Sequence, residues 1–316
     1  MNPSNKFIRI ITDEFNDSKL IGWLKKFYPD YPYTLLCKLV RKGNIRVNGS
    51  RCETNHILKL NDKIKIPTLL KQNKLEHKVK IDKFLEEKIK SLILYKDNEV
   101  IIINKPNGLA VQGGSKVKTS IDNILQALKF EKKERPRLVH RLDKDTSGLL
   151  IVARTKNYAN FYTDLFKKRM IKKVYLAIVY GESKLKTGKI NVDIETNKKI
   201  YDACTNYKTL LKNKLYSLLL IFPTTGRKHQ IRKHLYSIKH PIVGDRKYKY
   251  EESKIGKYDL NLHAFLVNFK NINGIEKFFH AEIPDHMKRN LVNFNLDYEF
   301  QNLDFKKVFY DNNIWF

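Results

Sequence analysis

The chain has few cysteines and no long apolar run. Its three cysteines, Cys37, Cys52 and Cys204, are far apart, and no Cys-x-x-Cys pair occurs. This spacing predicts free thiols in a reducing compartment rather than a disulfide framework or a zinc site. The longest apolar runs, such as 218–222, are too short to span a membrane, and residues 1–15 lack a signal-peptide core. We therefore expect a cytoplasmic protein without a membrane partner.

Acidic residues are scarce beside basic ones. The 316 residues include 62 Lys and Arg but only 33 Asp and Glu, which gives a formal net charge of +29 at pH 7. A field this positive attracts polyanions and raises their encounter rate, so nucleic acid is the predicted partner class. The competing explanation is an AT-rich genome, whose codons favour the Lys, Asn and Ile in which this chain is rich.

Glycine and proline number only 13 and 9, and several mark the predicted ends of elements. Pro29 and Pro32 follow a helical pattern that starts at Leu20, and Asn48-Gly49 is a strong hairpin signal ahead of a strand at 64–66. Further along the chain, strands and helices interleave without a steady βαβ rhythm. This pattern predicts an α+β fold with a mixed, mostly antiparallel sheet.

The same signals divide the chain into five segments. We expect an N-terminal tail (1–17), a small α/β module (18–67), a charged linker (68–90), a large domain (91–290) and a C-terminal extension (291–316). The linker region contains seven lysines and neither Gly nor Pro, so an exposed helix is the alternative interpretation of it.

Residues 140–150 are the most unusual stretch of the sequence. They read His-Arg-Leu-Asp-Lys-Asp-Thr-Ser-Gly-Leu-Leu and run directly into an apolar segment. Charge this dense beside a buried strand is costly unless it is paired or used, which indicates a chemical site. Asp143 is a candidate nucleophile or base, and with Asp145 it is alternatively half of a metal site. No further ligands accompany that pair, so we expect no metal.

Residues 224–234 form a second polar stretch, Thr-Thr-Gly-Arg-Lys-His-Gln-Ile-Arg-Lys-His. Thr225 is a candidate cap for a helix that begins near Arg227, which places Arg227 and Lys228 in the first turn. Cations there oppose the helix dipole unless an anion lies at that end, whereas the alternative is a basic, solvated helix. His229 and His234 are five residues apart and are not predicted to be metal ligands.

Four motifs together resemble the RluA family of pseudouridine synthases. They are residues 140–150, the segment Lys173-Val174-Tyr175-Leu176-Ala177, the segment Thr225-Gly226-Arg227-Lys228-His229-Gln230-Ile231-Arg232, and Leu262-His263-Ala264. Their order and spacing agree over roughly 91–290. Residues 104–115 are most similar to the RluC type, whose members modify uridines of 23S ribosomal RNA.

The resemblance implies that uridine is isomerised to pseudouridine without a cofactor. Asp143 is then the essential carboxylate, which attacks C1′, adds to C6 or removes a ribose proton; the sequence leaves these roles open. Arg227 would pair with Asp143, and Tyr175 would stack on the target base and could assist proton removal at C5. Arg141 would fill the space left when the uridine flips out of its stack.

The small module resembles an S4 RNA-binding domain around residues 41–49. This implies RNA contacts from five residues: Arg41, Lys42, Arg46, Asn48 and Arg51. The expected partners are 23S ribosomal RNA and, as an open possibility, the assembling large subunit, and a monomer is expected. Two other functions compete with this interpretation, a non-catalytic RNA-binding ribosome-assembly factor and a metal-dependent nuclease that uses Asp143 and Asp145.

Overall fold

The computed structural model describes residues 6–28, 31–68, 70, 83–113, 119–196, 199–250, 258–297 and 300. The chain divides into two compact units, residues 1–80 and 81–316, each treated separately below. No helix in the described ranges is both long and apolar enough to cross a membrane.

Among its described residues, the first unit combines two α-helices with a small antiparallel sheet. Its elements are helices α1 (Leu20–Phe27) and α2 (Tyr33–Arg41) and strands β1 (Lys6–Ile10), β2 (Arg46–Val47) and β3 (Lys63–Pro67). The strands lie in the order β1-β3-β2. Helix α1 buries Leu20, Trp23 and Leu24, three positions of the predicted helical spacing. The range predicted as a tail instead supplies β1, which pairs with β3 along its whole length.

The second unit contains five helices and twelve strands among its described residues. The helices are α3 (Lys83–Ser91), α4 (Ile121–Ile124), α5 (Lys156–Lys167), α6 (Gln230–Ser237) and α7 (Asp285–Asn293). The strands are β4 (Ile93–Lys96), β5 (Val100–Lys105), β6 (Arg137–Leu138), β7 (Ser147–Ala153), β8 (Lys172–Tyr180), β9 (Thr187–Asn191), β10 (Ile194–Thr196), β11 (Lys199–Tyr201), β12 (Cys204–Lys212), β13 (Tyr216–Pro223), β14 (Leu262–Lys270) and β15 (Glu276–His280).

Ten of these strands form one sheet, and β10 and β11 form a separate hairpin. The main order is β4-β5-β7-β14-β8-β13-β12-β9, with β15 paired to β14 and β6 paired to β7. Every pairing in the sheet is antiparallel except β7 with β14, which is parallel. The predicted α+β class with a mostly antiparallel sheet is therefore confirmed.

Alternate residues of the central strand β8 pack against different helices, as the two-residue period of a strand requires. Val174 and Leu176 lie in a cluster with Met287 and Leu291 of α7. The next residues along, Ala177 and Val179, instead pack with Ile231 and Leu235 of α6. Both sides of β8 are therefore buried, and α6 is held on the side to which Tyr175 belongs.

The ends of the second unit lie beyond the predicted limits of 91–290. Helix α3 falls within the predicted linker, yet its Ile89 is fully buried in a cluster with Ile101 and Ile124. At the other end, Leu291, Phe294 and Leu296 lie in the core with α7. These apolar side chains tie both segments to the domain, and the predicted extension beyond residue 300 lies outside the described residues.

Candidate active site

Asp143 lies in the loop that joins β6 to β7. Leu142 before it is buried, and the Thr146 backbone N–H donates to the Asp143 carbonyl at 3.2 Å, which closes a turn. The Asp143 side chain keeps 22% of its surface exposed, whereas Thr146 and Ser147 are buried. Buried residues on both sides of Asp143 thus anchor the loop, and the carboxylate remains accessible to a substrate.

Gly148 allows this loop to pass close to the parallel strand β14. Its φ is +107°, and a Cβ at this position would collide with the backbone of Ala264. One residue earlier, the Ser147 hydroxyl and His263 Nδ1 are hydrogen-bonded at 2.9 Å. Only glycine fits this close approach. The contact explains why the first and fourth sequence motifs occur together.

Lys105 supports the loop from beneath. Its side chain is fully buried, and its ammonium donates to the carbonyls of Pro106, Leu109 and Lys144, each at 2.9 Å. Burial lowers the pKa of Lys105 to about 7, while Asp145 and Asp143 act in the opposite direction. Lys144 adjoins the catalytic candidate, so this side chain ties the loop to the end of β5.

Arg232 on α6 is the guanidinium that faces Asp143. Its Nη1 lies 3.6 Å from Asp143 Oδ2, while its Nε and Nη2 form two 2.7 Å hydrogen bonds with the carboxylate of Asp245. Burial alone would lower the pKa of Arg232, but the two carboxylates outweigh it and raise the pKa. A fork-shaped pair of this kind fixes the direction of the guanidinium as well as its charge.

Asp245 is in turn held by the backbone that follows it. Its carboxylate accepts the N–H groups of Lys247 and Tyr248 at 2.8 and 3.0 Å, and its side chain has no exposed surface. The Tyr248 ring lies under the Arg232 guanidinium at 5.3 Å. Both oxygens of the buried Asp245 carboxylate therefore accept hydrogen bonds and its charge is paired with Arg232, which is the condition under which buried charge is tolerated.

His229 is the second group beside Asp143. Its Nε2 lies 3.8 Å from Asp143 Oδ1, and its Nδ1 is hydrogen-bonded to the Tyr248 hydroxyl at 3.1 Å. Its φ of +56° is uncommon for a residue other than glycine, and it turns the chain immediately before α6. Burial lowers the pKa of His229 in spite of Asp143, so the ring is neutral at neutral pH.

Tyr175 projects from β8 toward the same carboxylate. Burial raises the pKa of its hydroxyl, and the charge of Asp143 raises it further. The phenol therefore stays protonated at neutral pH, where it can donate a hydrogen bond or offer its ring but cannot readily accept a proton. The structure thus brings two of the predicted catalytic residues, Asp143 and Tyr175, into one site.

The predicted pair between Asp143 and Arg227 is not present. Arg227 is exposed, and its Nε donates to the Asp202 carbonyl at 3.1 Å. The physical reason is the start of α6, which begins at Gln230 rather than near Arg227. Thr225 does not cap the helix either, because its hydroxyl donates to the Gln230 side chain. Arg232, in the first turn of the helix, takes the place assigned to Arg227.

Among the described residues, the other charged side chains of the loop form no ion pair with this network, although Asp145 lines a small cleft together with Arg232. Arg141 and Asp145 are exposed, and neither has an ion pair within the described residues. No group of three or more His, Cys, Asp or Glu side chains that could hold a metal ion occurs in the ranges described. The Asp143 and Asp145 pair therefore receives no support as a metal site.

The five predicted RNA contacts of the first unit lie around one turn. Arg41, Lys42 and Arg51 are exposed. Arg46 donates to the carbonyls of Gly43 and Gly49, and Asn48 links Asp62 to the Lys63 backbone N–H. Arg46 and Asn48 thus shape the turn itself, which leaves the other three as the cations with the freest access to a ligand.

Sequence reasoning missed Lys105, Arg232, Asp245 and Tyr248. Arg232 carried a usable signal, since it lies beside Ile231 and one turn before Leu235, on the helix side that becomes buried. Lys105 directly follows four apolar residues and Asn104 in a buried strand, which is also unusual for a lysine. Asp245 and Tyr248 occur in a turn without periodicity, so only the fold reveals their contacts.

The arrangement places one accessible carboxylate among groups that favour its negative charge. A buried guanidinium, a neutral imidazole and a protonated phenol surround Asp143, and none of them can take its place as the anion. Such a site can carry out nucleophilic attack or proton abstraction by a carboxylate. The aromatic ring of Tyr175 beside it suits a flat substrate group.

Comparison with known proteins shows which family this chain resembles. Residues 99–237 match the model of the RNA pseudouridylate synthase family. The chain is 33% identical over 304 residues to ribosomal large subunit pseudouridine synthase C of Buchnera aphidicola, with 92% of this chain and 94% of the relative covered. It is 36% identical over 288 residues to the protein of that name from Rickettsia felis, with 84% and 91% covered.

A solved structure is also similar to this chain. Human RNA pseudouridylate synthase domain containing 4 is similar with a TM-score of 0.60 and 25% sequence identity. The match covers 67% of this chain and 96% of the human chain. The similarity therefore extends over nearly the whole of that solved domain.

Proposed function

Because the chain belongs to the RNA pseudouridylate synthase family, we propose that it isomerises uridines of large-subunit ribosomal RNA with Asp143 as the reacting carboxylate. The observation that carries this proposal is the position of Asp143, exposed to a substrate and faced by the buried Arg232. Relatives that are covered almost entirely are named as ribosomal large subunit enzymes, which supports the choice of RNA.

The reaction needs no net input of atoms or electrons. The bond between N1 of uracil and C1′ of ribose breaks, the base turns, and a bond forms between C5 and C1′. The proton on C5 is lost and N1 gains one, so product and substrate have the same composition. Asp143 can act on C1′, on C6 or on a ribose proton, and each of these roles requires an anionic carboxylate.

The neighbours of Asp143 have separate parts in this proposal. Arg232 stabilises the negative charge of Asp143 by direct attraction and is kept in place by Asp245. Tyr175 stacks on the uracil that has left its helix. Its hydroxyl stays protonated because burial raises its pKa, so the C5 proton passes to solvent water, and water supplies the proton that N1 gains.

RNA binding outside the site comes from exposed cations. Arg141 beside the catalytic loop is free to occupy the space that the flipped uridine leaves, since a guanidinium can stack as a base does. The first unit acts as an S4-like RNA-binding domain through Arg41, Lys42 and Arg51, with Arg46 and Asn48 shaping the turn. The chain works as a monomer in the cytoplasm, on ribosomal RNA or the assembling subunit.

The direct test is tritium release from unmodified large-subunit RNA labelled at C5 of uridine. The wild-type chain releases tritium, and Asp143→Asn releases none while it retains RNA affinity, because the amide preserves shape but not charge. Asp145→Asn is the matched control and keeps nearly full activity, since Asp145 is exposed and, among the described residues, forms no ion pair with Arg232. Full tritium release by the Asp143→Asn chain would contradict the proposal.

The same assay separates this proposal from a ribosome-assembly factor that only binds RNA. A factor of that kind would bind the RNA with both the wild-type and Asp143→Asn chains and release tritium with neither. The intact network around Asp143 favours the enzyme, because a binding protein has no use for a buried guanidinium directed at an accessible carboxylate.

A further inference from the structure

Arg227 occupies an exposed platform beside the active site. Its guanidinium lies over the Tyr201 ring at 5.1 Å, while its Nε donates to the Asp202 carbonyl at 3.1 Å. Its two terminal nitrogens have no partner among the described residues. A guanidinium held on one face and at one nitrogen presents its remaining N–H groups outward in a fixed direction.

The platform is joined to the helix that carries the catalytic guanidinium. Arg227 contacts Asp202 beyond the end of β11, and Lys233 of α6 donates to the Glu195 carbonyl in β10 at 3.0 Å. His234 is hydrogen-bonded to the Val192 carbonyl at 2.8 Å. The β10–β11 hairpin and α6 therefore form one bonded assembly, and the position of Arg227 relative to Arg232 is fixed.

Further cations continue from this platform toward Tyr175. Arg169 lies 4.0 Å from the Asp202 carboxylate, and the Lys173 ammonium faces Gly226. Lys173 is two residues from Tyr175, so both project from the same face of β8. The basic side chains thus form a short path from the hairpin to the catalytic carboxylate.

We propose that Arg227, held over the Tyr201 ring, binds a backbone phosphate of the RNA strand next to the flipped uridine. This inference rests on the proposed function. Arg227 is two residues from His229, which touches Asp143, so their backbones are separated by at most about 7 Å. A phosphate bound there belongs to a nucleotide adjacent to the one in the site.

Phosphate is favoured over the other ligands that this arrangement could take. Tyr201 covers one face of the Arg227 guanidinium, and the terminal N–H groups along the guanidinium edge have no partner among the described residues. Arginine edges bind phosphate oxygens in a two-pronged manner. Asp143 already has a closer cation in Arg232, so Arg227 is not required to neutralise it.

The test compares RNA affinity and chemistry in Arg227→Ala, Arg227→Lys and Tyr201→Phe, with large-subunit RNA transcripts as the probe. Affinity is measured in an Asp143→Asn background across a potassium chloride series. We expect Arg227→Ala to raise Kd about five- to tenfold and to lower the salt slope by about one. Arg227→Lys recovers part of the affinity, and Tyr201→Phe changes nothing because only the ring is used.

Arg289→Ala is the matched control, since Arg289 is exposed on α7 and lies in no part of this platform. It leaves both Kd and the salt slope unchanged.

With saturating RNA, single-turnover tritium release by Arg227→Ala in the otherwise wild-type chain stays close to wild type. An unchanged Kd together with a much lower single-turnover rate would overturn the inference, because Arg227 would then act in the chemical step and not in binding the RNA. Failure of the proposed function is distinct, because the wild-type chain itself would then release no tritium.

Discussion

The two units differ in where they keep their polar groups. Among the described residues, every buried polar or charged residue lies in the second unit, and the core of the first is made of apolar side chains such as Trp23 and Ile64. Buried charge is costly unless it is paired, so a fold retains it where it serves a purpose. The contrast supports the proposal that chemistry takes place in the second unit and that the first unit contributes surface binding.

The largest effect is expected at the buried cation of the second unit. Arg232→Lys loses the two-pronged bond to Asp245 and misdirects the charge at Asp143, which lowers the single-turnover rate by about a hundredfold or more. Arg227→Lys is the matched control and retains the rate, because Arg227 has no contact with Asp143. Equal losses in the two variants would show that burial does not distinguish their roles.

A second prediction concerns the buried lysine beneath the catalytic loop. Lys105→Met leaves the carbonyls of Pro106, Leu109 and Lys144 without a donor, which lowers the free energy of unfolding by about 2–4 kcal/mol. Lys144→Met removes an exposed lysine of the same loop and costs little. Urea unfolding measures both. A stable Lys105→Met chain would mean that the three carbonyls find other partners.

A third prediction uses the neutral histidines of the second unit. Burial lowers the pKa of His140 to about 3 and that of His263 to about 4, and His140 Nε2 accepts the Ile151 N–H at 2.8 Å. Below pH 6.5 these two histidines bind protons in the unfolded chain but not in the folded chain. The free energy of unfolding therefore falls as the pH drops from 6.5 to 4.

The variant His140→Gln removes the contribution of one of these two histidines to the pH dependence of stability. The glutamine oxygen can still accept the Ile151 N–H but does not titrate, so the slope of unfolding free energy against pH should fall by about 1.4 kcal/mol per pH unit in that window. Urea titrations at a series of pH values give the two slopes. Parallel wild-type and variant curves would mean that His140 is protonated in the folded chain.

The smallest effect is expected on the surface of the first unit. Arg41→Ala combined with Lys42→Ala removes two exposed cations, which lowers the salt slope of RNA binding by up to about two and leaves the rate at saturating RNA unchanged. Filter binding across a salt series measures this. A fall in the saturated rate would contradict the separation of binding from chemistry between the two units.

Much of the fold was predictable because it depends on local patterns. The helical pattern that starts at Leu20 predicted α1, and the predicted strand at 64–66 is β3. The boundaries were harder to predict, because β1, α3 and the residues after Asn290 join their domains through packing with distant strands. Patterns within one segment contain no information on such contacts.

The site was predicted in part for the same reason. Asp143 and Tyr175 belong to motifs whose residues meet in the structure, whereas the partner of Asp143 depends on where α6 begins. The predicted helix start near residue 227 favours Arg227 as that partner, whereas the observed start at Gln230 brings Arg232 inward instead. Asp245 completes the site from a turn that the sequence does not mark, so its contribution required the three-dimensional structure.

The most direct test of the central claim is pseudouridine mapping of large-subunit ribosomal RNA in cells that lack this chain. The account predicts that one or more sites lose their modification, that the wild-type chain restores them, and that an equally abundant Asp143→Asn chain does not. Sites restored equally by Asp143→Asn, or no site lost at all, would contradict it.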